Sequence, residues 1–478
     1  MMNDIWMSKK ESPLLGLQGM GGGVGGFNFL SASGEGGGLW AWGVNRARLY
    51  MPSPAPTNPN NAQKRSSPVQ IGTDTNWTLF QMGTQADGYA AINSDKEFYT
   101  WGSNSQGLLG QNQGPSAAKK ALPEVSAFPG TWKDVSIAMG SMCAIRESDD
   151  SLWVWGENRN GHLGINDGSY NGPSSPTQIP GSWAVAVFGG SDQHVSAMGV
   201  KTDGTLWAWG KNAFGKLGFP SPSYAQEGAS KYSSPIQVGT DTTWGKERGL
   251  IAMGDTVSLA IKTNGTLWAW GNGWKGVMGD NVGNSNAANT SPKQIGTNTN
   301  WASIVAAGYG IDRTYGVKTN NTLWAWGENE RGLLGQNAPN NSYRSSPIQI
   351  PGSWKIHGGN SIGVKDTCWV KEDGTLWSWG YNSMGSGGIN VSTGYGPSRS
   401  SPTQIGTDTD WTRCWVNYQS IFALKSSGQM YGWGNNEYSQ LTNSVPSGYK
   451  NRPYSIGGSG SNVVDVGGGP YQSFWLRK

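Results

Sequence analysis

One short pattern, aromatic-x-Trp-Gly, recurs eight times along the chain and limits what it can fold into. It stands at Trp40–Gly43, Tyr99–Gly102, Trp153–Gly156, Trp207–Gly210, Trp268–Gly271, Trp324–Gly327, Trp377–Gly380 and Tyr431–Gly434. The closing glycines lie 53 to 61 residues apart. A fixed period of that length belongs to a repeat architecture, in which each unit buries its apolar surface only against its neighbours.

Each unit has the same parts in the same order. A turn signal such as Asp203-Gly204, Asn264-Gly265 or Asp373-Gly374 joins two alternating runs, and these pairs predict a hairpin with a type I′ turn. The runs Ser258–Lys262 and Leu206–Gly210 show the period of two expected of strands. Asn-x-x-Gly-x-x-Gly follows, at Asn104–Gly110, Asn158–Gly164, Asn212–Gly218 and Asn329–Gly335. After a variable segment comes Ser-Ser-Pro-x-Gln-Ile, as at Ser66–Ile71 and Ser345–Ile350, where proline predicts an outer strand. A tryptophan then opens the next unit: Trp77, Trp132, Trp183, Trp244, Trp301, Trp354 and Trp411. About four short strands per unit predict an all-β chain, a single β-propeller of four-stranded blades. The composition agrees, with 74 glycines, 26 tryptophans and only 14% charged residues against about 25% in ordinary domains. The tryptophans are expected to pack between blades.

Both termini are half-units. Leu39–Ile71 holds only the second half, and Asn462 to Leu476 matches only the first. Pairing them would complete one blade and remove two exposed strand edges. With the seven internal units the count is eight, and seven is the alternative.

The run Leu-Trp-x-Trp-Gly-x-Asn-x-x-Gly-x-Leu-Gly followed by Ser-Pro-x-Gln-Ile resembles the regulator-of-chromosome-condensation repeat, over residues 39–478. The resemblance implies a β-propeller, usually of seven blades. It also implies functions carried by surfaces: nucleotide exchange on a small GTPase, light sensing through Gly-Trp-Arg-His-Thr, or inhibition of β-lactamases by protein contact. Gly273-Trp274 and Gly432-Trp433 are not followed by Arg-His, so the light-sensing motif is missing. The basic tail of the exchange factor is reduced here to Lys9-Lys10.

No catalytic constellation is legible, so no enzyme, cofactor or metal is expected. The three histidines, His162, His194 and His357, fall in different units, and metal ligands come in clusters. Gly21-x-Gly23-x-x-Gly26 matches a dinucleotide fingerprint but lies in a glycine run that follows no strand. Cys143, Cys368 and Cys414 are too few and too scattered for a disulfide framework. A net charge of +4 over 478 residues predicts neither nucleic-acid binding nor membrane insertion. With no signal-peptide pattern, the chain reads as made in a cytoplasm and not exported by that route.

Binding is expected in the variable segments, one per blade. They carry Tyr170, Tyr224, Tyr232, Tyr343, Tyr395 and Tyr449, a paratope-like composition. Arg65, Arg344 and Arg399 stand just before Ser-Ser-Pro and would form a basic ring. Residues 1–38 form a glycine-rich arm expected not to fold alone. Its stretch SPLLGLQGMGGGVGG is similar to leaders of tailed-bacteriophage structural proteins. That resemblance implies a virion component that docks through the arm and displays the propeller to a host surface protein or glycan. The other readings are a bacterial interaction scaffold or inhibitor, and an exchange-factor-like regulator.

Overall fold

The computed structural model describes residues 28–30, 37–44, 64–82, 88–114, 120–126, 128–138, 140–190, 194–220, 230–283, 285–307, 313–355, 366–382, 384–389, 398–416, 420–437, 439–441, 448–456, 462–468 and 472–478. They form an all-β chain of antiparallel sheets. One unit shows the plan. Strands Trp301–Ala307, Arg313–Lys318, Leu323–Asn329 and Ser342–Ile350 pair in chain order, and the proline-bearing strand is outermost, as its missing N–H requires. Two units merge into a seven-stranded sheet because Thr177–Gly189 runs from the outer position of one into the inner position of the next. The termini pair as expected. Strand Gly38–Val44 lies between Lys64–Gln70 and Gln472–Arg477, and Val463–Gly468 completes that sheet.

Each Trp-Gly glycine has φ between 96° and 114°, and seven of the eight sit at a β-bulge, Gly156 being the exception. A Cβ on Gly210 would lie 2.8 Å from Ser196 Cα, so the close strand backbone and the dihedral both require glycine. The bulge presents the second tryptophan of the motif to the preceding unit. Trp209 is buried with Cys143, Leu152, Val154 and Leu163 of that unit. Its indole Nε1 donates to the His162 carbonyl at 2.7 Å. The same latch runs from Trp155 to Leu108, Trp270 to Lys216, Trp326 to Val277, Trp379 to Leu333, Trp433 to Ser386 and Trp42 to Gln440, at 2.6–2.9 Å. Each acceptor belongs to the Gly-x-x-Gly turn of the unit before, except Gln440, whose turn has Ser439 and Thr442 in the glycine places. Gly164 is why the indole fits, since a Cβ there would stand 2.8 Å from Trp209 Nε1. The described core divides into eight apolar clusters, each shared by two successive units. The repeated tryptophans therefore pack between units.

One expectation needs correction. The hairpins are not type I′: Gly204 has φ 87°, but Asp203 is not in the left-handed region. Asp203 Oδ1 accepts from the backbone N–H of Thr205 at 2.9 Å and its hydroxyl at 2.7 Å. That Asx-type turn, with glycine in the following left-handed position, wins over the two-residue turn. Part of the glycine-rich arm, residues 1–38, reaches the sheets. Asn28–Leu30 pairs antiparallel with Leu79–Gln81, and Gly37 bridges Trp77. No helix among the described residues is long and apolar enough to cross a membrane.

Candidate functional site

The first tryptophan of each motif faces a lysine. Lys201 Nζ lies 3.8 Å from the Trp207 ring centroid and 5.2 Å from that of Trp183, and Lys262, Lys318 and Lys371 repeat the sandwich. Burial pulls the ammonium pKa of Lys201, Lys318 and Lys371 below the usual lysine value. The Trp207 indole N–H donates to Thr205 Oγ1 at 2.8 Å, which closes a chain from Asp203 through Thr205 to the ring. The recurrence of this set in successive hairpins marks it as scaffold.

The histidines do not meet. His162 is buried, with Nε2 2.5 Å from Ser141 Oγ. Burial, helped by the Arg159 charge, pushes its pKa down to about 3. His194 is buried against Phe214 in the next unit, and His357 lies outside the described residues. No group of three or more His, Cys, Asp and Glu that could hold a metal occurs among the described residues.

One insert departs from the repeat. Gly245–Leu250 intervenes between Trp244 and the short strand Ile251–Met253, within the widest glycine interval. Arg248 Nε lies 2.6 Å from Asp134 Oδ1, and its Nη2 donates to the Val135 carbonyl at 2.5 Å. The Gly249 carbonyl accepts from Ile304 N at 2.8 Å and Ser303 Oγ at 3.2 Å. The inner strands of successive units lie against one another. A reach from Arg248 to Asp134 passes over the unit opened by Trp183, so the insert straps the inner ends of several units together.

The expected binding residues are distributed as follows. Tyr170 is exposed, lies 4.8 Å beneath the Arg159 guanidinium and accepts from Arg159 Nη2 at 2.5 Å. Tyr232 is half-buried, edge-on to Phe219 at 4.9 Å. Tyr449 donates to Glu437 Oε1 at 3.1 Å. Tyr343 is 40% exposed. Tyr224 and Tyr395 lie outside the described residues. Arg65, Tyr232, Tyr343, Arg344, Arg399 and Tyr449 stand on outer strands and not in the loops beside them. Their register is informative: Arg65 pairs with Gly43, Arg344 with Gly327 and Arg399 with Gly380. Lys120 opposite Gly102 and Lys450 opposite Gly434 hold the same position. The equivalent residues opposite Gly210 and Gly271 are Tyr232 and Asn289. The five basic positions fall in consecutive units, from the one opened by Trp301 through the joined termini to the one opened by Trp77.

Beside this arc lies an apolar patch. Trp274 is 44% and Val282 46% exposed. Both belong to the unit before Tyr343. Lys275, 5.7 Å above the Trp274 ring, pairs with Glu328, which is in register with Tyr343. A Cβ on Gly283 would stand 3.6 Å from Tyr343 Oη, and Asn281 N donates to the Ser345 carbonyl at 2.6 Å. Trp274, Val282 and Tyr343 therefore gather at one seam. Arg344 and Arg399 make no ion pair among the described residues.

Sheets and latches define a β-propeller of four-stranded units. Its repeats are similar to the regulator-of-chromosome-condensation (RCC1) type, which names one relative, the mitochondrial RCC1 domain-containing protein RUG3 of Arabidopsis thaliana, 26% identical over 52% of this chain and 53% of that protein. No family model matches the chain. It is 25% identical to the ultraviolet-B receptor UVR8 of Arabidopsis thaliana, over 70% of this chain and 72% of that protein. It is 26% identical to the human E3 ubiquitin-protein ligase HERC2, over 72% of this chain but only 7% of HERC2. Among solved structures, Prp20p of Saccharomyces cerevisiae matches with a TM-score of 0.54 and 20% identity, covering 80% of this chain and 92% of that one. Human WBSCR16 matches with a TM-score of 0.53 and 15% identity, covering 92% and 100%. At these identities the two structures support the fold alone.

Proposed function

We propose that the chain is a non-catalytic recognition module, an eight-bladed ring that binds a protein through the outer-strand surface around Tyr343. One observation carries this reading. Exposed Trp274, Val282 and Tyr343 converge at a seam whose fold is already satisfied by the buried latch from Trp326 to Val277. Tryptophan, tyrosine and arginine are the residue types that dominate protein-binding hot spots. Related propellers support it: Prp20p was solved bound to Kap60, and its binding to Gsp1p and histones is described with its structure.

The finer setting is a virion on which residues 1–38 dock and the propeller faces a host surface protein or glycan. The leader SPLLGLQGMGGGVGG supports it. Mass spectrometry of purified particles tests that setting. Peptides from both propeller and arm, in numbers comparable with tail or capsid components, are expected. Their confinement to the soluble cell fraction would refute it. The recognition reading is tested by a photo-crosslinking amino acid at position 343 in the full chain, with one at Thr73, on a remote turn, as control. A protein adduct from position 343 alone is expected. Equal adducts from both positions, or none, would sink it.

A further inference from the structure

The cationic arc begins on the strand that carries the seam, since Arg344 follows Tyr343 in Ser342–Ile350, and together they specify a partner. We infer that the surface formed by Trp274, Val282, Tyr343, Arg344 and Arg399 docks an acidic protein segment carrying an apolar side chain, an inference that rests on the recognition reading above. The argument starts from charge. Nearby acids are already engaged: Glu328 by Lys275, Glu330 by Arg331 at 3.0 Å and Asp280 by Lys293 at 2.9 Å. Arg331 also lies 3.6 Å over the Tyr381 ring. The guanidiniums of Arg344 and Arg399 have no such carboxylate among the described residues, and Arg399 Nε is buried without a hydrogen-bond partner. A guanidinium is a rigid fork that matches a carboxylate in bidentate fashion. The two occupy equivalent registers in adjacent units, one blade apart. Lys450 and Arg65 hold the same backbone register in the next two units.

Apolar area fixes the rest. Trp274, Val282 and Tyr343 are each at least 40% exposed at the seam next to Arg344. A ligand of charge alone would leave that surface wet. A segment with an apolar residue seated on the seam and carboxylates running along the arc uses both. The arrangement favours protein over nucleic acid. One cation per blade is a sparse ladder, whereas a polyphosphate chain is held by many closely spaced contacts. The net charge of +4 also provides little long-range pull on a polyanion.

The test uses the full chain and fluorescein-labelled synthetic peptides of about 15 residues read by anisotropy. One is Glu/Asp-rich with a central Leu-Phe pair, one has the acids replaced by Lys, and one by Ser. Oligodeoxythymidylate of matched charge serves as the nucleic-acid probe. Binding of the acidic peptide is expected, weakening at least tenfold between about 50 and about 300 mM salt. Arg344→Glu should weaken it at least tenfold, Arg344→Glu with Arg399→Glu further, and Trp274→Ala several-fold. Arg344 is half-exposed, so the single variant keeps the test open if the double variant fails to fold, and urea midpoints identify that case. Equal binding of acidic and Lys-rich peptides, tighter binding of the oligonucleotide, or indifference to both Arg344→Glu and Trp274→Ala would overturn the inference. A salt-insensitive, non-acidic protein captured at position 343 would also overturn it while leaving the recognition reading intact.

Discussion

Glycine does two different jobs here, and Gly164→Ala against Gly239→Ala separates them. Both residues are left-handed, at φ 73° and 65°. Around Gly239 nothing lies within 4 Å of an added Cβ, so only the dihedral penalty applies, about 1 kcal/mol. At Gly164 the Cβ would fall 2.8 Å from Trp209 Nε1 and 2.9 Å from its Cδ1. The indole must move, which costs about 2 kcal/mol for overpacking and about 1 kcal/mol for the bond to the His162 carbonyl. Gly164→Ala should therefore lose about 4 kcal/mol and Gly239→Ala about 1 kcal/mol. Urea unfolding of the full chain, followed by tryptophan fluorescence, ranks the midpoints. Adding Trp209→Phe to Gly164→Ala should cost less than the two separate losses combined, since the clash disappears with the indole nitrogen. Equal midpoints for the two alanine variants, or strict additivity in the double variant, would refute the latch as the reason for the Gly-x-x-Gly motif.

Three further outcomes follow from buried groups. His162 has a folded pKa of about 3 against about 6.5 unfolded, so it withholds a proton that the unfolded chain takes up. Its stabilising effect is complete above about pH 6.5 and is lost as pH falls toward 3, with about 2 kcal/mol gone by about pH 5. His162→Gln should flatten that acid limb, and an unchanged stability–pH profile would count against the assignment. Arg248→Ala strands the Asp134 carboxylate, whose pKa burial already raises, and should cost about 3 kcal/mol in urea, with partial recovery on adding Asp134→Asn. No recovery would mean that the strap acts by packing alone. Burial pushes the Cys143 thiol up to about 12, and Cys368 and Cys414 are equally buried. All three should resist a thiol-specific disulfide reagent until the chain unfolds, and a full native thiol titre would contradict the core packing.

The fold was legible because its signals are repeated demands of one local geometry. Trp-Gly marks a bulge, Gly-x-x-Gly a turn against an indole, and Ser-Ser-Pro an outer strand, and these decisions agree from unit to unit. The hairpin type was not legible. Asp203-Gly204 is compatible with either turn, and the bond from Thr205 to Asp203 that decides it is a side-chain event. The surface was half legible. Arg65, Arg344 and Arg399 were visible beside Ser-Ser-Pro. Lys120 and Lys450 hold the same register in Lys-Ala-Leu-Pro and Lys-Asn-Arg-Pro, where only the proline three residues on survives. Trp274 was noticed only as part of a motif it fails. The available signal was a bulky aromatic where the other turns carry Ser105, Ala213 or Glu330.

The register of the basic residues explains how one repeat supports both a fixed core and a variable surface. The Trp-Gly glycine is dictated by the neighbouring strand, which leaves no room for a side chain. The residue paired with it on the outer strand carries no such demand, and it is Arg, Lys, Tyr or Asn in different units. Since folding tolerates all of these, packing does not require five consecutive units to be basic there. Nor does it require Trp274 and Tyr343 to stand exposed at the seam beside them, while the indoles of the latches are spent in the core. The physical distinction between the two tryptophan classes is therefore the most direct guide to function. Those whose Nε1 donates to a turn carbonyl join successive units, and the one at position 274 stands exposed at the seam.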